Sequence, residues 1–410
     1  MKILTVIMIQ ILSLSCLAMS KGVGDFVKRA EKGENLTVVF LGGSLTWGAN
    51  ASDPNRTSYR GVIMRNLREQ YPKAHWNFVD AAIGGIGSTL GIYRLKRDVM
   101  AYNPDLVFLD FTLNDNAKTT DDIALAAYEG IIRHILSNGH SLVFPVILAS
   151  KDYVTLKDIQ MLKRRSSHIA ICRQYNLPYA DVIAGMRTDY RNGKLDLDQV
   201  WPPDLFSEIH PCDYGYKEYA RHIWNAFKHV ASENLVPVIP DKWLTEPVYA
   251  NIQRLKLSDL QRLPKNWRRG KPEILAGSFD FLCSRWQDDE VIAANCKRLR
   301  FNQFELTGGN PEPLEVKFYG TTVAIFGEAT IWSGKYTVSI DGNPVGSYDD
   351  SEWAKHFSPS AYMFRMLAHN LDQNQIHTLT VKPEFSSKEP QILKLESICV
   401  AGPDRAEIIN

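Results

Sequence analysis

Hydrophobic and polar positions follow two different patterns along the chain. Between Leu36 and about Val230, short apolar runs typical of strands buried on both faces are separated by segments with helical spacing. The predicted strands are Leu36–Leu41, Trp76–Ala82, Leu106–Phe111, Ser141–Leu148 and Tyr179–Ile183. The predicted helices are Tyr59–Gln70, Gly91–Tyr102, Asp122–Ser137, Leu156–Tyr175 and Asp213–His229. This order predicts a parallel sheet with helices on both sides, and a site at the carboxyl ends of its strands.

The pattern changes after Val236. Val236–Ile274 contains five prolines, which predicts a linker that runs over the surface of the first half. Short alternating segments typical of strands follow it: Leu314–Tyr319, Thr322–Phe326, Lys335–Ile340, His377–Val381 and Leu393–Val400. The second half is therefore predicted to be a β-sandwich of the jelly-roll kind.

The first 20 residues differ from the rest of the chain. Lys2 is followed by a nearly continuous apolar run, and Ala18-Met19-Ser20 offers small residues for cleavage. The run is short for a membrane span, so a signal peptide and export to the periplasm or the medium are predicted. A membrane anchor, or a lipoprotein site at Cys16, remains an alternative.

Composition excludes several classes of protein. Hydrophobic residues make up 45% and charged residues 23%, which is typical of a folded globular protein. The formal net charge of +1 argues against a nucleic-acid-binding protein, because such a protein needs an excess of basic residues to bind phosphates. We expect no metal, cofactor or stable membrane insertion, and the sequence does not indicate an oligomeric state. Cleavage of the signal would leave five cysteines, of which at least one is unpaired; Cys283 and Cys296 are the expected pair.

Four short segments carry candidate chemistry. Ser44 follows the first strand within a glycine-rich turn, where a nucleophile would be exposed, although a plain turn fits as well. Gly85 and Asn114 follow the second and third strands and are candidate donors to an oxyanion, or simply turn residues. His210 precedes the last helix and is a candidate general base. The order of the four segments is stronger evidence than any one of them.

This arrangement resembles the SGNH, or GDSL, hydrolase family. Its serine, glycine, asparagine and histidine blocks are matched by Ser44, Gly85, Asn114 and His210. The resemblance implies a flavodoxin-like three-layer α/β/α domain and ester hydrolysis through an acyl-enzyme. It implies that Ser44 is the nucleophile and His210 the base. The Ser44 and Gly85 N–H groups and the Asn114 side chain would form the oxyanion hole.

One position departs from the family pattern. The family usually has an aspartate three residues before the histidine, and Ser207 stands there in this chain. Glu208 is the tentative orienting acid, Asp204 is a second candidate, and a serine–histidine dyad without an acid is the third possibility.

These expectations combine into four segments: a signal peptide at 1–20, an SGNH hydrolase domain at 21–235, a linker at 236–275 and a β-sandwich at 276–410. An exported serine esterase with a sandwich domain resembles carbohydrate esterases that remove acetyl groups, so an acylated carbohydrate or small ester is the expected substrate. Trp286, Trp332 and Trp353 could stack on sugar or belong to the sandwich core. A lipase or lysophospholipase, and a non-catalytic glycan-binding protein, are the alternatives.

Overall fold

The fold is taken from a computed structural model of the chain. It describes residues 22–116, 118, 122–205, 207–233, 235–272, 290–294, 297–298, 304–305, 311–356, 360–386 and 391–409. The predicted signal peptide, the expected Cys283–Cys296 pair and Trp286 lie outside these residues. Within them, no helix is long and apolar enough to cross a membrane.

A five-stranded parallel sheet forms the centre of the first half. Its strands are β1 Asn35–Gly42, β2 His75–Asp80, β3 Leu106–Asp110, β4 Leu142–Ile147 and β5 Ala180–Asp181. Their order is β2-β1-β3-β4-β5, and each neighbouring pair is parallel. This is the flavodoxin-like order. Strands are added to one side of β1 and then to the other, and this switch leaves a crevice at the carboxyl ends of β1 and β3. The predicted fold class is confirmed.

Helices cover both faces of this sheet. In chain order they are α1 Val23–Glu31, α2 Ser44–Trp47, α3 Tyr59–Gln70, α4 Ser88–Asp98, α5 Asp122–Leu136, α6 Lys151–Thr155, α7 Lys163–Gln174, α8 Val182–Arg191, α9 Leu197–Val200 and α10 Asp213–Glu233. Alternate residues of β1 point to opposite faces: Phe40 packs with α1, α3 and α10, and Leu41 packs with α4, α5 and α7. Both faces of the sheet are therefore buried, as its continuous apolar strands predicted.

Two predicted elements differ from the structure because a polar side chain starts a new helical turn. Asp158 accepts a hydrogen bond from Gln160 N and begins a short 3-10 turn, so the predicted helix Leu156–Tyr175 is replaced by that turn followed by α7. Asp181 likewise accepts from Ala184 N and caps α8, which shortens the predicted last strand to two residues.

The second half is a sandwich of two antiparallel sheets. Its elements are β6 Asn251–Lys256, β7 Trp267–Gly270, β8 Val291–Ala294, β9 Lys297–Arg298, β10 Phe304–Glu305, β11 Leu314–Tyr319, β12 Thr322–Thr330, β13 Tyr336–Ile340, β14 Asn343–Tyr348, α11 Ser351–His356, β15 Ser360–Ala368, β16 His377–Pro383, β17 Leu393–Gly402 and β18 Glu407–Ile409. One sheet has the order β14-β13-β16-β11-β18, and the other has the order β15-β12-β17-β8-β7, with β6 also paired to β17. Residues 236–275, for which a linker is predicted, thus contribute two strands to the sandwich.

The second sheet of the sandwich also packs against the α/β half. Every residue of β12 and β17 is buried, because one face of these strands lines the sandwich core and the other meets helix α4 and its neighbours. Phe326 and Ala401 share a hydrophobic cluster with Tyr93 and Tyr249. A common apolar core therefore joins the two halves, and side chains on this face of the sandwich reach the α/β domain.

Candidate active site

Ser44 lies immediately beyond the carboxyl end of β1. The strand ends at Gly42, and Gly43 turns the chain into the short helix α2, whose first residue is Ser44. The serine side chain is largely buried, and its Oγ is 2.8 Å from Nε2 of His210. This distance is a hydrogen bond, so the structure joins two residues that are far apart in the sequence.

The loop that carries His210 is bonded to the loop that follows Ser44. Asn50 Nδ2 donates a hydrogen bond of 3.0 Å to the backbone oxygen of His210. Ser52 donates from its backbone N at 2.8 Å and from its hydroxyl at 2.5 Å to the carboxylate of Asp213, at the start of α10. These bonds hold the backbone on both sides of His210 against the loop that follows Ser44.

Burial controls the charge of His210. It lowers the pKa of the imidazole from 6.5 to about 4, because a buried cation loses its hydration. The ring is therefore neutral at pH 7, and a neutral imidazole can accept the proton of the Ser44 hydroxyl that contacts its Nε2.

The carboxylate of Glu208 contacts a lysine. Its Oε1 is 3.2 Å from Lys151 Nζ, its side chain is 70% exposed, and its backbone oxygen accepts from Lys151 N at 3.0 Å. Asp204 is exposed. The carboxylate that was expected to orient His210 thus forms an exposed ion pair with Lys151. The orienting role of Glu208 stays a prediction.

Asn114 lies directly against the turn that carries Ser44. A Cβ at position 43 would overlap its Oδ1, so only glycine at that position lets the amide approach Ser44. Gly85 has a φ of +76°, which a residue with a side chain rarely adopts. The turns after β1, β2 and β3 thus bring Ser44, Gly85 and Asn114 to the same crevice.

A cleft of about 330 Å³ lies beside these turns. Gly85, Gly87, Asn114 and Asn116 line it, and so do Tyr362 and Phe364 of strand β15. A Cβ at Gly85 would be 2.9 Å from the Tyr362 hydroxyl oxygen. The sandwich therefore supplies one wall of the cleft.

The comparisons with known proteins agree with this geometry. Residues 40–218 match the model of the GDSL-like Lipase/Acylhydrolase family. The α/β half therefore contains a GDSL-like Lipase/Acylhydrolase domain. The matched segment contains Ser44, Gly85, Asn114 and His210. The domain is therefore a hydrolase domain, and the family predicted from the sequence is confirmed. The comparison with curated proteins found no match.

The whole chain, with both halves, also resembles solved structures. A two-domain esterase (CEX) active on acetylated mannans, co-crystallised with mannopentaose, is 20% identical with a TM-score of 0.73, covering 94% of this chain and 97% of that one. A second structure of such an esterase, described without mannopentaose, is 20% identical with a TM-score of 0.71, covering 93% and 95%. At this identity the likeness establishes the two-domain fold.

The acylhydrolase domain also contains a buried carboxyl that contacts the short helix beginning at Ser44. Asp110, the last residue of β3, is 1% exposed, and Thr46 Oγ1 of helix α2 donates to its Oδ2 at 3.3 Å. Burial raises the pKa of this carboxyl to about 8, because the charged form loses its hydration, and the nearby Asp115 adds to the shift. The carboxyl is therefore mostly protonated at neutral pH.

Sequence reasoning missed Tyr362 and Phe364, although it named nearby aromatic residues. Trp353 is 45% exposed, and its Nε1 donates to the backbone oxygen of Tyr362 at 3.3 Å. Trp332 is 37% exposed, whereas Tyr336 is buried in the sandwich core. The alternation of β15, with Tyr362 and Phe364 on one face, was the available signal, but only the fold shows which surface that face meets.

One cluster in the described part of the acylhydrolase domain has metal-ligand chemistry. Ligand atoms of Asp189, Glu218 and His222 lie within 4.8 Å of one another. Arg221 contacts both carboxylates, so a cation of the protein already balances their charge. The cluster is an ion-pair network on the surface of α8 and α10.

Proposed function

We propose that this protein is a serine esterase that removes O-acetyl groups from carbohydrate through an acyl-enzyme. The observation that carries the proposal is the 2.8 Å hydrogen bond between Ser44 Oγ and a neutral His210 at the crevice of a GDSL-like acylhydrolase domain. A neutral imidazole in contact with a serine hydroxyl is the pairing that nucleophilic catalysis requires.

The proposed reaction has two steps. His210 removes the Ser44 proton while Ser44 Oγ attacks the ester carbonyl, and the resulting oxyanion accepts from the Ser44 and Gly85 N–H groups and from the Asn114 amide. The tetrahedral intermediate collapses, and the sugar hydroxyl leaves with the proton from His210. Water, deprotonated by His210, then releases acetate. One preorganised donor contributes about 3–4 kcal/mol to such a transition state.

The cleft supports a carbohydrate as the leaving alcohol. Polar groups of Asn114 and Asn116 and the rings of Tyr362 and Phe364 line it, and sugars bind to this combination of hydrogen-bonding groups and aromatic faces. Trp353 extends the aromatic surface outward to solvent. The two-domain esterase with the same fold acts on acetylated mannans, and the predicted export signal agrees with a polymer outside the cell.

The deciding experiment is acetate release from a panel of acetylated plant and bacterial polysaccharides. We expect release by the wild-type protein, labelling of Ser44 by a fluorophosphonate, and loss of both in Ser44→Ala. A folded wild-type protein that binds the polysaccharide but neither releases acetate nor reacts with the probe would instead be a glycan-binding protein.

Chain length separates a deacetylase from a lipase. If Tyr362 limits the cleft beside Gly85, acetyl esters should be hydrolysed far faster than butyryl or octanoyl esters. Tyr362→Ala should reduce that preference, while Trp332→Ala, which removes a partly exposed ring of the sandwich outside the lining of the cleft, serves as the matched control. Faster hydrolysis of octanoyl than of acetyl esters by the wild type would favour the lipase alternative.

A further inference from the structure

A buried polar network lies beneath the turn that carries Asn114. Thr112, Asp115, Ser88 and His168 are each at most 5% exposed. None of the four belongs to the proposed catalytic machinery, and burying this many polar groups costs free energy unless they are paired. Their pairing connects three separate elements: the turns after β2 and β3, and helix α7.

Asp115 joins the two turns that would form the oxyanion hole. Its Oδ1 accepts from Ser88 N at 2.7 Å and its Oδ2 accepts from Ser88 Oγ at 2.5 Å. Ser88 is the first residue of α4, and the residue before it, Gly87, has no side chain to cap the helix, so the carboxylate of Asp115 takes that role. A Cβ at Gly87 would be 2.5 Å from Asp115 Oδ1, so this close approach needs glycine.

His168 holds the other side of the same turn. Its Nδ1 is hydrogen-bonded to Thr112 Oγ1 at 2.9 Å, whereas its Nε2, at 3.6 Å from Asp115 Oδ2, is beyond hydrogen-bond distance. Its ring stacks on Tyr128 of α5 with a centroid distance of 3.6 Å and an interplanar angle of 5°. Burial lowers the pKa of this histidine well below 6.5, and Arg164 adds to the effect, so the ring is a neutral, fixed hydrogen-bonding group.

Asn114 therefore lies between two residues of the same turn, Thr112 and Asp115, that are each hydrogen-bonded to helix α7. Thr112 is bonded to His168, and the backbone oxygen of Asp115 accepts from Arg164 Nε at 3.1 Å. The Asn114 amide packs against Gly43 beside the nucleophile, so a small shift of the turn would change its distance from a developing oxyanion. Donors of this kind must be held within about 0.5 Å of their working position.

We infer that His168 is a positioning residue, which acts through Thr112 to hold the Asn114 amide in the oxyanion hole. This inference rests on the proposed function. It assigns to helix α7 a part in catalysis, although no residue of α7 lines the cleft.

The test uses His168→Phe, which can keep the flat ring on Tyr128 but removes both ring nitrogens. Thr112→Val removes the bonded hydroxyl at nearly constant shape, and Thr112→Ser restores it. We expect kcat for p-nitrophenyl acetate, normalised to the fraction of Ser44 labelled by fluorophosphonate, to fall about tenfold in the first two variants with KM little changed. Thr112→Ser should recover most of the activity.

A double-mutant cycle decides whether the effect passes through Asn114. Asn114→Ala should lower kcat about 10²–10³-fold, and adding His168→Phe should lower it no further, because the positioned amide is already absent. His377→Phe is the matched control, since His377 is 2% exposed and hydrogen-bonded through both nitrogens, but lies in the sandwich.

Three results are distinguishable. An unchanged kcat per labelled serine in both His168→Phe and Thr112→Val would overturn the inference, and so would a loss that multiplies with that of Asn114→Ala. If His168→Phe does not fold, Thr112→Val and Thr112→Ser give the same comparison. Full activity in Ser44→Ala would instead refute the proposed function itself.

Discussion

The pH dependence of the reaction tests the environment of His210 directly. Because burial lowers the pKa of His210 to about 4, the imidazole is neutral and able to accept a proton at all higher pH values. Activity should therefore be retained in mild acid and lost only as the pH falls through the pKa of His210 in the folded protein. The acidic limb of kcat/KM reports this group in the free enzyme.

The expected magnitude follows from the titration curve. At pH 5 a base with a pKa of about 4 is about 90% neutral, whereas one with the ordinary value of about 6.5 is only about 3% neutral. The two cases differ about 30-fold in kcat/KM at this one pH. The same shift destabilises the fold in acid, because the unfolded chain binds a proton at His210 below about pH 6.5 and the folded chain does not. This cost reaches at most about 3 kcal/mol near pH 4.

The assay is acetate release from a soluble acetyl ester, followed by NMR between about pH 3 and pH 8 so that the signal does not depend on a titrating chromophore. Each sample is returned to pH 7 and assayed again, which separates reversible protonation from unfolding. An acidic limb with its midpoint near 6.5, in protein that regains full activity, would refute the lowered pKa of His210. It would mean that water or a nearby carboxylate stabilises the imidazolium.

Three further outcomes follow from the same geometry. Gly43→Ala should lower kcat at least about 100-fold by displacing Asn114, whereas Gly270→Ala, whose Cβ would have open space, should leave it unchanged; equal activities would contradict the contact. Glu208→Gln tests the orienting acid expected from the sequence. Because its carboxylate contacts Lys151 and is 70% exposed, we expect kcat to change less than about twofold, and a loss near 10⁴-fold would show instead that it orients the histidine. Asp110→Asn should raise the free energy of unfolding by up to about 4 kcal/mol at pH 7 and leave it unchanged at pH 4. The reason is that the wild-type fold, in which this carboxyl has a pKa of about 8, loses stability as the pH rises above about 4 and the unfolded chain releases the proton. If Asp110 were ionised in the folded protein, urea unfolding would show the same effect of the substitution at both pH values.

Much of the α/β half could be predicted from local patterns. Continuous apolar runs marked the buried strands, and the residue after each strand was the natural candidate for chemistry, because parallel strands bring their carboxyl ends to the same edge. Ser44, Gly85 and Asn114 meet in the structure for this reason. Two of the elements that differed, Leu156–Tyr175 and Tyr179–Ile183, differ because single aspartates cap new turns there, and such a cap outweighs the apolar periodicity around it. The predicted helix Gly91–Tyr102 instead begins at Ser88 and ends at Asp98, before a 3-10 turn at Met100–Tyr102.

The remaining features depend on distances that only the tertiary structure determines. Whether Glu208 reaches His210 or Lys151 depends on the path of one loop over a few ångströms, which spacing in the sequence does not encode. Tyr362 enters the cleft because one face of β15 packs on the α/β half, and His168 reaches the Asn114 turn because α7 crosses beneath it. The sequence by itself determined the fold class, the family and the candidate nucleophile and base, since these depend on periodicity and on residues next to strand ends. The tertiary structure decided which distant side chains surround them, because those contacts arise only when separate elements pack together. Helix α7 brings His168 to the Asn114 turn within the α/β half, and the core shared by the two halves brings β15 to the cleft.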